Sequence, residues 1–320
     1  GFDYDDCMMY NNYNVCEWEY NRSNIFSNSV GSRGMGADIS IFRGYTDVYL
    51  VLDTFTVMTP TDYYASPIDN ITYDILHSVI PDSVQVQADL YVSPEGDNSN
   101  SGLTPEDPLQ TIQYAHSIIV SDSLNPHTIY LLNGVYSPSS NGEVFPVNVT
   151  EYVSIEGQSE DSVILDAQQT GNLINCISID HSTISNLTLT GGLAEFGGGL
   201  YVYNSNLSLL NLTIAGNEAS SYGGGICIQY ASPYLSNITV SDNEAEKGGG
   251  IRIVYSSPTI MNCTIRDNYA YDDGGGMHLR GKVDIDVQLS GVQSMVPIFK
   301  NVQIINNVAG DGGGGIYNWE

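Results

Sequence analysis

Three basic residues come closest to a reactive arrangement in this 320-residue chain: Arg252, His278 and Arg280. Counted along the repeat described below, Cys227, Arg252 and His278 hold equivalent positions in successive units, with Arg280 two residues beyond His278. Equivalent positions on stacked strands share a face, so an imidazole and two guanidinium groups would meet on one outward column. That is a minimal set for proton transfer on an acidic substrate. The plainer reading of the column, as ordinary exposed strand side chains, carries the greater weight. A second group is acidic. Asp242, Asp267, Asp272, Asp273 and Asp311 fall in turns, and Glu95, Asp97 and Asn98 lie in a Gly-rich loop. Stacked carboxylates and amide oxygens suit Ca2+, a hard cation that takes several oxygen ligands, although solvated acidic loops account for them as well. A third group is aromatic. Tyr201, Tyr203, Tyr230 and Tyr255, four of 23 tyrosines, are expected on the outside, where rings stack on sugars or are buried against another subunit. The histidines outside the column (His77, His116, His127 and His181) are too scattered for a metal site.

What must position these groups is a repeat. Glycine triplets end at Gly199, Gly225, Gly250, Gly276 and Gly315, with steps of 26, 25, 26 and 39 residues. A companion series, Asn186, Asn211, Asn237, Asn262 and Asn301, advances by 25, 26, 25 and 39. Both gain about 13 residues in the last step, which places an insertion at about 282–296. Self-similarity at such a period signals stacked repeats, and each unit holds short alternating runs such as "GICIQY" and "YLSNITV" with no helical pattern. A coil of that size containing two or three strands is one rung of a parallel β-helix, each strand pairing with its counterpart ~4.8 Å along the axis. Ile226/Ile228, Ile251/Ile253 and Met277/Leu279 then point inward, as do Leu187/Leu189, Leu212/Ile214, Ile238/Val240, Cys263/Ile265 and Val302/Ile304. Asparagine at the bends tolerates left-handed geometry and can bond to the next rung's amide, and glycine triplets permit tight corners.

Composition narrows the function classes. With 37 acidic and 9 basic side chains the net charge is −28, which disfavours nucleic acid and anionic membrane surfaces as partners. No run of about 18 apolar residues occurs, so no transmembrane segment is expected. Five cysteines without metal-ligand spacing make no disulfide scaffold. Cys7 and Cys16 could bridge locally, and Cys176, Cys227 and Cys263 read as buried thiols. Acidity with abundant Asn, Ser, Thr, Gly and Tyr suits an extracellular or cell-surface protein.

The motifs "ITVSDNEAEKGGGI" and "TIRDNYAYDDGGGM" resemble the repeats of right-handed parallel β-helix proteins of bacterial surfaces, including chlamydial polymorphic outer-membrane proteins. "LYVSPEGDNSNSGLTPEDPLQTIQYAHSIIV" with "TIYLLNGVYS" resembles the opening of pectate-lyase-like β-helix domains. The fold expected is therefore an all-β, right-handed, single-stranded parallel β-helix, with an N-terminal capping helix built on Leu109, Ile112, Ala115, Ile118 and Ile119 after Pro108. The expected plan is degenerate rungs of a preceding β-helix over 1–58, a connector over 59–88 and the main β-helix over 89–320. Within the last, 89–125 is the capping segment and 126–320 the rungs. The leading expectation for function is a secreted or cell-surface structural or adhesive β-helix, part of a larger or self-assembling extracellular polymer, with Ca2+, glycans or other copies as partners. The resemblance also implies a polysaccharide lyase with its cleft around Arg252, His278 and Arg280, or a hydrolase. The aspartate motifs of polygalacturonases are missing, which weakens the hydrolase. A plain glycan-binding module lies between these readings.

Overall fold

The computed structural model describes residues 85–281 and 296–319 in full, and backbone strands only within residues 1–84. The chain divides into two compact units, Gly1–Val86 and Gln87–Glu320. In the first unit, Val48–Val57 pairs in parallel with Ser23–Ile25 and with Ile71–Ile80, and Ile39–Ser40 pairs in parallel with Ala65–Ser66. The stretch 59–88, expected as a connector, thus contains Ala65–Ser66 and Ile71–Ile80. Cys7, Cys16 and all but the last residue of the insertion expected at about 282–296 lie outside the fully described residues.

The second unit is an all-β parallel solenoid of three faces. One rung serves for all. Tyr234–Ser241 lies on the first face, Glu244–Lys247 on the second, and after Gly248–Gly250 the strand Ile251–Val254 lies on the third. Each pairs in register with the rungs on either side: Leu212↔Ile238, Ala219↔Ala245, and Ile226↔Ile251↔Met277↔Ile316. The predicted inward columns up to Met277 are buried, so like residues stack on like and build one continuous core. Pairing continues across the insertion, from Thr259–Met261 to Ile298–Lys300.

The three glycines of each corner divide the work. The first takes a left-handed backbone, φ +68° at Gly223, which costs glycine little. The second allows two chain segments to touch: a Cβ on Gly224 would lie 2.3 Å from the Glu244 carbonyl oxygen of the next rung. The third meets its own counterpart, since a Cβ on Gly225 would lie 2.8 Å from the Gly250 oxygen. The asparagine column behaves as its spacing implies. Asn186, Asn211, Asn237, Asn262 and Asn301 all have φ between 51° and 59°. Asn211 donates to Asn186 Oδ1 at 2.8 Å, Asn237 to Asn211 at 3.0 Å and Asn301 to Asn262 at 3.0 Å.

The expected capping helix runs over Ile112–Ile118 after the N-cap Thr111, whose side chain accepts from Tyr114 N at 3.2 Å. All five apolar residues named for it are buried. Its first two amides, which have no partner inside the helix, donate to Glu143 at 2.7 and 3.0 Å. Burial raises the Glu143 carboxyl to about 7 against its helix amide bonds, and burial lowers His116 on the same helix to about 4. The two act oppositely on stability. The lowered His116 contributes fully above its ordinary 6.5, and that contribution is lost as pH falls through 4, by about 3 kcal/mol at the limit. The raised Glu143 contributes below 4.5 and loses that contribution as pH rises through 7. The His116→Leu protein should therefore gain stability relative to the parent as pH is lowered from 7 to 4.5. Urea unfolding at several pH values reads this directly, and parallel curves for the two proteins would refute it.

Candidate functional site

The corner between the second and third faces brings together the basic column foreseen in the sequence. Register places Cys227, Arg252, His278 and Tyr317 on successive rungs at one position. The expectation that this column is exposed is corrected, because Arg252 and His278 are only 2% and 1% exposed. The cause is the glycine corner, which sets the end of the second-face strand Glu218–Tyr222 against the third face. The Tyr222 ring therefore lies over the Arg252 guanidinium, with 4.6 Å from Cζ to the ring centroid, and Tyr317 lies beside His278 with ring centroids 5.2 Å apart.

An Arg252 Nη1–H donates to His278 Nδ1 at 2.5 Å, which fixes the imidazole as the neutral tautomer carrying its proton on Nε2. Burial, and then the Arg252 charge, hold His278 at about 3. Burial also lowers Arg252 and raises the neighbouring Cys227 thiol to about 12. Arg280 stands apart, exposed, with its guanidinium 4.7 Å from the Trp319 ring centroid. A neutral, enclosed imidazole and an enclosed guanidinium are poorly placed to take a proton from a polymer.

The tyrosines form a connected row. Phe196 stacks on Tyr222 at 5.7 Å and on Tyr201 at 6.1 Å. Tyr201 meets Tyr203 at 6.2 Å, Tyr203 meets Tyr230 edge-on at 5.8 Å, and Tyr230 stacks on Tyr255 at 5.5 Å. Tyr230 is 51% exposed, the most open ring of the row. Tyr230 and Tyr255 have φ of 52° and 46°, which turns the chain at the rim of the third face.

The acidic candidates separate. Asp242 and Asp267 occupy left-handed turn positions, φ 57° and 56°, and Asp267 pairs with its neighbour Arg266 at 2.6 Å. Asp272, Asp273 and Asp311 converge, with oxygens all within 4.8 Å of one another. Lys247 is paired with both Asp272 and Asp273, so a cation is already present in the cluster. In the 94–102 loop Asn98 is committed to the backbone: its Oδ1 accepts from Gln110 N at 2.9 Å and Thr111 N at 3.1 Å. Asp97 accepts from Ser99 N at 2.8 Å, and that bond lowers its carboxyl. Glu95 N donates to Ser93 Oγ at 3.2 Å. Cys176, Cys227 and Cys263 are free and buried.

Sequence reasoning missed a second, interior amide column. Asn217, Asn243 and Asn268 are buried, and each carboxamide donates to the next Oδ1, at 3.0, 3.0 and 2.9 Å, ending on Asn307. Each Oδ1 also accepts the backbone N–H of the preceding asparagine, as Asn243 does from Asn217 at 2.9 Å. The signal was present: Asn217-Glu218-Ala219, Asn243-Glu244-Ala245, Asn268-Tyr269-Ala270 and Asn307-Val308-Ala309 share the spelling Asn-x-Ala.

Among the described residues no helix is long and apolar enough to cross a membrane. The family model described as "Right handed beta helix region" matches residues 148–320. No curated protein matches the chain significantly. A solved structure named rhamnogalacturonan lyase aligns with 70% of this chain and 66% of its own, at 12% identity and a TM-score of 0.31. With its rungs, corners and register matching that description over more than half its length, the chain belongs to the right-handed β-helix family.

Proposed function

We propose that the chain is a non-enzymatic segment of an extracellular or cell-surface β-helix, structural or adhesive in role, which engages neutral glycans through its tyrosine row. One contrast carries this reading. Arg252 and His278, the pair of the basic column that could act together, are enclosed, whereas the rings that can stack on a sugar are displayed, Tyr203 at 36% and Tyr230 at 51% exposure. A net charge of −28 favours neutral over acidic polymers for so broad a contact.

The test is a panel of neutral and acidic polysaccharides, assayed for retention of the protein and for turnover. The expected result is retention without new reducing ends and without the absorbance of unsaturated uronates. The Tyr203→Ala, Tyr230→Ala double variant should bind about tenfold more weakly, equivalent to about 1.4 kcal/mol. Unsaturated products from a polyuronate, abolished in Arg252→Ala, would overturn the reading in favour of a lyase.

A further inference from the structure

The corner holding Arg252 contains an enclosed guanidinium without a direct ion-pair partner among the described residues; Asp273 acts on it only at longer range. Lys247, Arg252 and Arg280 are three of only nine Lys and Arg residues in the chain, and they lie near enough to His278 or to one another to shift these groups electrostatically. Lys247 is matched by Asp272 and Asp273, and Arg280 is exposed against Trp319. Arg252 has no ion pair among the described residues, although it is 2% exposed. A buried charge is normally paired, because removal from water is otherwise uncompensated. Two buried donors nearby also lack acceptors, the Arg252 Nε–H and the His278 Nε2–H. The Arg252–His278 bond consumes Nδ1 of the ring and one Nη1–H, leaving these two untouched.

We propose that this corner is a binding site for one small monoanionic carboxylate, free or carried on a sugar. A ligand with one negative charge is favoured, since His278 is neutral and Arg252 is paired directly by no carboxylate, the nearby Asp273 being engaged by Lys247. Geometry favours a planar acceptor. With Tyr222 on the face of the guanidinium, a ligand must approach along its edge, where a carboxylate can accept hydrogen bonds from the fork of N–H groups. Tyr222, half-exposed, acts as the cover that has to swing aside for entry. The assignment stands apart from the rod reading, because it requires neither turnover nor the Tyr203–Tyr230 row.

Arginine Nε–H resonances of the 15N-labelled full chain provide the test, with Arg252 assigned by its absence in Arg252→Lys. Sodium acetate, sodium glucuronate, glucose and sodium chloride are titrated separately. A saturable shift of the Arg252 Nε–H with acetate or glucuronate, and none with glucose or chloride, is expected. Tyr222→Ala should tighten the response several-fold. Equal affinity for the two acids would support recognition of the carboxylate alone, and at least tenfold preference for glucuronate would support a sugar-borne one. Absence of a saturable shift at every arginine Nε–H in both the parent and Tyr222→Ala, or an equal shift of the same resonance with chloride, overturns the proposal, and neither of these results depends on the assignment from Arg252→Lys.

Discussion

Gly224→Ala is expected to destabilise the solenoid by about 3 kcal/mol or more, a loss in the range of severe core overpacking. The new methyl carbon would meet the Glu244 oxygen at 2.3 Å and the Gly249 oxygen at 2.6 Å, both backbone atoms of the following rung. Neither can rotate away as a side chain does. Relief would require neighbouring rungs to move apart at the corner, which breaks the amide bonds between them, such as Gly225 N to Gly250 O at 3.1 Å. Gly281→Ala is the control, because the nearest atom to its Cβ is Tyr255 N at 3.9 Å. Its change should stay within about 0.5 kcal/mol. Urea unfolding followed by circular dichroism compares the two, and equal midpoints would contradict the close-approach argument.

The second large effect is expected at Asn243. Its side chain donates to Asn268 Oδ1 and to the Ile214 carbonyl at 2.9 Å, and accepts from both the backbone and the carboxamide of Asn217. Asn243→Leu keeps the branched outline of the side chain and removes all four bonds, leaving the Asn217 N–H buried against hydrocarbon. Each buried polar group stranded in this way costs about 1–3 kcal/mol, so a total of about 3–5 kcal/mol is expected. Asn237 on the outer column makes the useful contrast. It is exposed and bonded to Asn211 at 3.0 Å, so Asn237→Gly, which tolerates the same φ of 57°, should lose no more than about 1 kcal/mol. Comparable losses at Asn243 and Asn237 would mean that burial does not distinguish the two columns.

Much of the fold was legible because a stacked rung repeats its text. The glycine triplets, the outer asparagines and the extra length in the last step were visible as spacing alone, and Leu109, Ile112, Ala115, Ile118 and Ile119 marked the helix by period. The candidate site was legible only as a column. Alternation along a strand separates inward from outward, but it carries no information on whether the outward side is convex or concave. That depends on how sharply Gly223–Gly225 turn the second face towards the third, and so Arg252 and His278 were expected in solvent and lie beneath Tyr222 and beside Tyr317. Glu143 was illegible for a related reason. Its partners, the amides of Ile112 and Gln113, are about 30 residues away, and no local pattern links them. The inner asparagines spelled Asn-x-Ala in every unit, yet only packing tells which of two amide columns is enclosed.

Those two amide columns also have opposite sense. Inside, Asn217 donates a hydrogen bond to Asn243 and Asn243 to Asn268, towards higher residue numbers; outside, Asn237 donates to Asn211 and Asn211 to Asn186, towards lower ones. A single row of head-to-tail carboxamides would accumulate an electric moment with every coil added, as peptide units do in an α-helix. Two antiparallel rows largely cancel, so lengthening such a rod builds up little polarisation between its ends.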